Sequence, residues 1–149
     1  GVCRYHLYVK FRKRREGEPK NVIMGAFASH YDVKHVVVVD EDVDIHDPTQ
    51  VEWAIATRFQ AERDLVMVHG AQGSPLDPST TVADSEVGIS DLPPERQGIS
   101  SKLGFDATKP VQYEGHVFTR VRIPGEDTVD LSGFISAPDS REWESIFRD

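Results

Sequence analysis

From Val2 to Arg12 the chain alternates strictly: Cys3, Tyr5, Leu7, Val9 and Phe11 fall on one side of an extended backbone, and Arg4, His6, Tyr8, Lys10 and Arg12 on the other. A period of two is that of a strand with one buried face. The spacing then changes. Pro19 stands where a first helical residue belongs, and Val22, Ile23, Ala26 and Phe27 recur at helical intervals, predicting a short helix from about Pro19 to His30. Val36 to Val39 are four β-branched residues with no polar alternation, the pattern of a strand covered on both faces, as in parallel sheets. Asp47, Pro48 and Gln50 supply an N-cap, a first helical residue and a capping-box partner. The helix they open carries Val51, Ala54 and Ile55 on one face and should end near Phe59, and Leu65 to Val68 forms the next apolar strand. Strand, helix, strand, helix, strand implies right-handed crossovers. The expected class is therefore α/β, a three-layer sandwich whose largely parallel central sheet is built from βαβ units.

Gly70 to Pro110 changes character, with many Gly, Pro and Ser and no long apolar run, and reads as an arm reaching a partner. Beyond it, His116 to Ile123 alternates loosely. Asp139 and Glu142 could cap a last helix bearing Trp143, Ile146 and Phe147. The expected organisation is an α/β domain over 1–110, including the arm at 70–110, followed by an extension over 111–149 with a terminal amphipathic helix. No internal repeat is visible.

Composition narrows the class. The residues are 38% hydrophobic and 28% charged, near the averages of soluble globular proteins, and no stretch approaches the ~20 apolar residues that span a bilayer. A formal net charge of -8 opposes binding to nucleic acid and to anionic membranes. Cys3 is the only cysteine, which excludes an internal disulfide and suits a reducing cytoplasm. The chain starts GVCRYH, without an initiator methionine or a charged leader followed by an apolar stretch. The expectation is a piece of a longer cytoplasmic protein with no secretory signal.

The most conspicuous candidate chemistry is the acidic cluster Asp40, Glu41, Asp42 and Asp44 after the valines. A calcium loop of the EF-hand type would need Gly at its sixth position and Glu at its twelfth, where this chain has Ile45 and Val51. A response-regulator receiver would need an Asp at the end of a later apolar strand, but LVMV ends in His69 and Gly70. The plain alternative is that the acids solvate a strand end and lead into the capped helix, where a carboxylate is favourable by about 0.3 to 1 kcal/mol. A divalent-metal sensor built on Asp40, Asp42 and Asp44 stays open as a rival.

Six basic residues crowd Lys10 to Lys20, at the end of a strand where open sheets bind ligands, so an anion site competes there with a solvated turn. The six histidines form no metal-ligand pair such as HExxH, and HGAQGSPLDPS matches neither GxGxxG nor a Walker loop. No nucleophile, base and orienting acid can be placed by spacing, and Ser74 lies outside any GxSxG elbow.

Three segments taken together carry more. KHVVVVDEDVDIHDPTQVEWAIATR, then RDLVMVHGAQGSPLDPS, then SKLGFDATKP, in this order and spacing, resemble the C-terminal domain of the UbiD-like decarboxylases. The resemblance takes in CRYHLYVKFRKRREGEPKN more loosely and covers about residues 3 to 110; from Val111 onward no firm pattern is seen. It implies a carboxy-lyase that uses prenylated FMN, with a divalent metal and potassium, to decarboxylate aromatic or α,β-unsaturated acids, often 4-hydroxybenzoate-like. The modified flavin adds to the substrate, CO2 leaves and an acidic residue reprotonates the product. The resemblance places the catalytic Arg and two Glu, and the groups holding the ions, in a preceding flavin-binding domain, so this chain holds no catalytic residue and no metal ligand and is expected to be inactive and flavin-free alone.

One role is carried over: Lys34, just before the valine strand, is implied to reach the flavin phosphate, which suits a compact point charge. It lies at the amino end of its strand, whereas open-sheet logic favours carboxyl ends, a conflict that eases if the cofactor belongs to the neighbouring domain. The resemblance further implies homo-oligomer contacts, assigned here to the Gly70–Pro110 arm and the Trp143/Ile146/Phe147 helix. The rival is a stand-alone small-ligand or protein-interaction domain of the same fold.

Overall fold

A computed structural model of the chain describes residues 4–80, 98–121, 124–125 and 128. In chain order the elements are β1 (His6–Phe11), α1 (Glu18–Ser29), β2 (His35–Asp40), α2 (Pro48–Arg58), the single turn α3 (Ala61–Asp64), β3 (Leu65–Gln72) and β4 (Ile99–Ala107). The four valines of β2 are all buried. Because successive side chains of a strand point to opposite faces, they divide between two cores. Val36 and Val38 pack with Ile23 of α1 and with Leu7, Val9 and Phe11 of β1. Val37 and Val39 pack with Val51 and Ala54 of α2 and with Ala107 of β4. One helix therefore covers each face of the sheet, giving the three-layer α/β arrangement.

The sheet order is β1-β2-β4-β3. β1 with β2 and β2 with β4 are parallel, while β3 runs antiparallel to β4. Two features differ from expectation. Leu65–Val68 was expected as a third parallel strand; it begins β3, which lies at the sheet edge in the opposite direction, with a bulge between Val68 and Ala71 at positive-φ Gly70. The central parallel strand beside β2 is instead β4, inside the stretch expected to be an arm. Its sequence ISSKLGFDA reverses the usual pattern: Ser100, Lys102, Gly104 and Asp106 are buried. The burial is tolerated because each polar group is satisfied. Lys102 Nζ donates to the carbonyls of Tyr31 and Val33 at 2.9 and 2.8 Å, and Asp106 accepts from the backbone N–H and the hydroxyl of Thr108. A Cβ on Gly104 would overlap Ile23 of α1, so glycine is what lets helix and strand meet here.

Both helix starts follow from local sequence. α1 opens at Gly17, whose φ of 87° suits glycine, and Glu18 receives the backbone N–H groups of Arg14 and Arg15. Asp47 caps α2 by accepting from the Thr49 N–H at 2.9 Å. Gln50 departs from the capping box. The Asp47 N–H is already bound to the Asp44 carbonyl, so the Gln50 amide accepts from the Asp44 N–H and donates to the Asp47 carboxylate.

At the carboxyl end of β2 an ion-pair knot joins three segments. Arg58 Nη1 reaches Asp40 at 2.9 Å, and its two terminal nitrogens grip Asp42 at 3.1 and 2.9 Å. Lys109 donates to Asp42 through Nζ and to Asp40 through its backbone N–H. The Arg58 side chain is only 2% exposed. Burial pushes the Asp42 carboxyl up, but the bonds from Arg58 and Lys109 outweigh it and hold it below the ordinary value of 3.8.

The chain divides into two compact units, Gly1–Phe118 and Thr119–Asp149. In the second, Thr128 closes a turn on the Gly125 carbonyl. Between His116 and Val121 the backbone forms turn and coil rather than a strand. Residues 81–97 of the expected arm, and the expected terminal helix with Trp143, Ile146 and Phe147, lie outside the described residues.

Three outcomes follow for the chain's stability. Gly104→Ala should cost about 1 to 3 kcal/mol by forcing Ile23 aside, read from chemical denaturation; an unchanged midpoint would contradict the close approach. Arg58→Met should cost about 2 to 3 kcal/mol, less than for a fully buried pair because Asp42 is 45% exposed. Asp42 titrates lower folded than unfolded, so its stabilisation is complete above about pH 4 and disappears as pH falls through the folded value. Acid titration of unfolding should therefore show a stability loss below pH 4 that shrinks in Arg58→Met.

Candidate functional site

The opposite end of β2 is built differently. The backbone N–H groups of Lys34 and His35 both point at the Tyr5 carbonyl at 2.9 Å, and the Lys34 carbonyl accepts from Leu103 at the same distance. Lys34 is thus pinned between the β1 side and β4, and its side chain is free to extend past the sheet's amino edge. It meets the loop that follows β3. Lys34 Nζ donates to Asp77 Oδ2 at 2.7 Å and to Ser79 Oγ at 2.5 Å.

That loop is fastened at both ends. The Gly73 N–H donates to the Gly98 carbonyl at 2.5 Å, joining the start of the loop to the start of β4. A Cβ on Gly98, whose φ is 68°, would strike the Gly73 carbonyl oxygen at 2.7 Å, so both conformation and space demand glycine. The Asp77 N–H then donates to the Ser74 carbonyl, and the Asp77 carbonyl receives the N–H and the hydroxyl of Thr80. The Asp77 carboxylate is divided: Oδ1 accepts the N–H and the hydroxyl of Ser79, and Oδ2 takes Lys34. Burial raises the Asp77 carboxyl, but Lys34 and Ser79 more than compensate and hold it below its usual range. Asp77 is therefore an anion at neutral pH.

A cavity of about 320 Å³ opens beside this group, lined by Lys34, Gly70, Ser79, Thr80, Ile99, Ser100 and Ser101. His6 and His35 lie on adjacent strands nearby, with ring nitrogens 3.1 Å apart. Burial and then the neighbouring charges of His6 and Lys34 lower the His35 pKa, favouring neutral imidazole.

The other sequence candidates do not join this site. Asp40 and Asp42 are engaged by Arg58 and Lys109 at the far end of β2, and the Asp44 carboxylate accepts the His46 N–H. Among the described residues, no group of three or more His, Cys, Asp or Glu is placed to hold a metal ion. In the basic run, Lys13 pairs with Glu16 at 2.8 Å, and the backbone N–H groups of Arg14 and Arg15 donate to Glu18. Asp77 and Ser79 were not singled out by motif. Their only local signal is the D-P-S triplet, where an Asp can accept from the N–H two residues on; their meeting with Lys34 across 43 residues is a property of the fold. A wider cleft of about 620 Å³ lies between α1 and β3, lined by Met24, Phe27, Tyr31, Val68 and the buried Lys102.

Comparison with known proteins identifies the family. Residues 1–107 match the family model of the 3-octaprenyl-4-hydroxybenzoate carboxy-lyase C-terminal domain. The anhydromevalonate phosphate decarboxylase of Aeropyrum pernix is 49% identical over 120 residues, 80% of this chain and 24% of that protein. The gallate decarboxylase of Lactiplantibacillus plantarum is 38% identical over 110 residues, 71% of this chain and 21% of that protein. Among solved structures, the UbiD-class enzyme HmfF from Pelotomaculum thermopropionicum in complex with FMN superposes with a TM-score of 0.68 at 45% identity, covering 89% of this chain and 26% of that one. An evolved dimeric form of HmfF in complex with prFMN gives a TM-score of 0.55 at 36% identity, over 89% of this chain and 23% of that one. The chain spans about a quarter of the length of these relatives. By fold and by sequence, it belongs to the family of UbiD carboxy-lyase C-terminal domains.

Proposed function

We propose that this chain is the C-terminal part of a prenylated-FMN-dependent decarboxylase acting on an α,β-unsaturated or aromatic carboxylic acid, and that Lys34 contacts the flavin phosphate. The observation that carries the reading is the placement of Lys34. Two of its three ammonium hydrogens are engaged among the described residues, and the group borders a hydroxyl-lined cavity of about 320 Å³. This group fits a phosphate: a compact cation supplies the charge and a third ammonium hydrogen, and the Ser101 hydroxyl borders the same space, while the hydroxyl hydrogens of Ser79 and Thr80 are committed to Asp77. In this reading the ring, the divalent metal, the potassium and the catalytic Arg and Glu residues belong to the preceding flavin-binding domain.

When bound, prenylated FMN supplies the electron sink that loss of CO2 requires. The work of this chain is binding and orientation. Lys34 grips the phosphate, and a cofactor gripped at one end presents its other end in a narrower range of positions. The higher identity to an anhydromevalonate phosphate decarboxylase than to a gallate decarboxylase favours a non-aromatic unsaturated acid over a 4-hydroxybenzoate-like one. Assembly is the second role. β3 is an edge strand of the described sheet, and Met67 and Val68 on it, with Met24 and Tyr31 across the wider cleft, expose apolar surface suited to a homo-oligomer contact. Among the described residues no helix is long and apolar enough to cross a membrane, and the single cysteine suits the cytoplasm.

The test is Lys34→Ala in the full-length protein. A lost charge-assisted contact is worth about 1.5 to 3 kcal/mol, so FMN affinity should fall about ten- to a hundredfold and purified flavin content should drop accordingly. Flavin content equal to wild type would overturn the assignment.

A further inference from the structure

We propose that Asp77, with Ser79, is the positioning residue of this site, holding the Lys34 ammonium where an arriving phosphate monoester meets it already oriented. The inference rests on the phosphate reading of Lys34 and adds a residue that acts only through it. Asp77 is suited to that task by how completely it is itself held. Its side chain is 8% exposed, and each carboxylate oxygen has a fixed assignment, Oδ1 to Ser79 and Oδ2 to Lys34. Its backbone is fastened on both sides, to Ser74 before it and Thr80 after it, within a loop tied to β4 through Gly73 and Gly98. Lys34 is likewise fixed at its backbone by Tyr5 and Leu103. The long flexible side chain between these two rigid points has one end on β2 and the other on Asp77, so its rotamer is selected before any ligand arrives.

Ser79 has a double part. Its hydroxyl donates to Asp77 and accepts from Lys34, which fixes where that proton lies and closes a three-membered polar cluster at the cavity wall. The cluster holds one cation and one anion, so the cavity carries no large net charge. What it offers a phosphate is direction: the remaining ammonium hydrogen and the Ser101 hydroxyl border the same space, and Thr80 keeps the Asp77 carbonyl in place. A ligand lacking the phosphate gains nothing from that arrangement.

The experiment uses the full-length protein freed of flavin and titrated with two probes, FMN and riboflavin, which differ only by the phosphate. In Asp77→Asn the FMN dissociation constant should rise about three- to tenfold as Lys34 regains side-chain freedom, with the riboflavin constant unchanged. In a Lys34→Met background the same change at Asp77 should have no further effect on the ratio of the two constants. If Lys34→Met raises the FMN to riboflavin ratio and Asp77→Asn does not, the positioning role is wrong and the phosphate contact stands. If neither variant moves the ratio, both readings fall. Should Asp77→Asn not fold, Ser79→Ala decides: a raised ratio supports the proposal, and an unchanged ratio overturns it.

Discussion

The burial of β2 on both faces is the constraint from which the rest of the structure follows. Four valines alternate between a core under α1 and a core under α2, and both cores close only in one register. Sliding the strand by one residue would exchange every side chain between faces. The polar residues at its ends are therefore placed by the apolar residues in its middle. Lys34 must emerge at the amino edge and Asp40 at the carboxyl edge, and each is left to find partners from loops that arrive there. Parallel pairing with β1 and β4 spreads the same register across the sheet.

The two edges solve their charge problem in opposite ways, and that difference is what supports the proposed site. At the carboxyl edge, where open sheets ordinarily receive ligands, Arg58 and Lys109 spend their donors on Asp40 and Asp42. A bidentate, nearly buried guanidinium is a fixed bond between α2 and the strand end, and it leaves the acids little capacity for a metal. At the amino edge one lysine meets one aspartate and one serine, and a cavity remains alongside. In the proposed reading the usual rule of sheet polarity gives way to where an ammonium hydrogen remains available among the described residues.

How much of this was legible in the sequence depends on which residues carry the information locally. β1, α1, β2 and α2 were readable because their apolar residues recur at the period of the element they form, and because Asp47 and Pro48 announce a helix start. β4 was not, because its buried positions are Ser100, Lys102, Gly104 and Asp106, each accepted inside for a tertiary reason: two carbonyls for Lys102, Thr108 for Asp106, the Ile23 side chain against Gly104. β3 was found, but an apolar run carries no sign of direction, so its antiparallel pairing was invisible. Lys34 came from resemblance rather than from pattern, and Asp77 from neither, since nothing local tells an aspartate in a turn that a lysine 43 residues earlier will stand beside it.

For the phosphate contact proposed for Lys34, the carboxylate beside it raises the question of which effect dominates, its repulsion of the phosphate or its grip on the lysine. Two unit charges about 4 Å apart interact by about 1 kcal/mol in bulk water and about 4 kcal/mol near a protein surface, and the Asp77 side chain is 8% exposed. Part of that repulsion is cancelled further, because the Asp77 charge is already spread over Ser79 and Lys34. Against it stands the rotamer freedom of a lysine, about 1.5 to 2 kcal/mol when fully lost, which an unheld side chain would surrender on binding. A bare carboxylate would therefore outweigh the holding effect, and what decides in favour of binding is that Asp77 is not bare: its charge is paired with Lys34, so a phosphate meets a near-neutral pair with the ammonium on it. Loss of that pairing would leave the repulsion dominant, since it grows as the dielectric falls while side-chain entropy does not. An acid at this position is therefore compatible with phosphate binding because the lysine it holds also neutralises it.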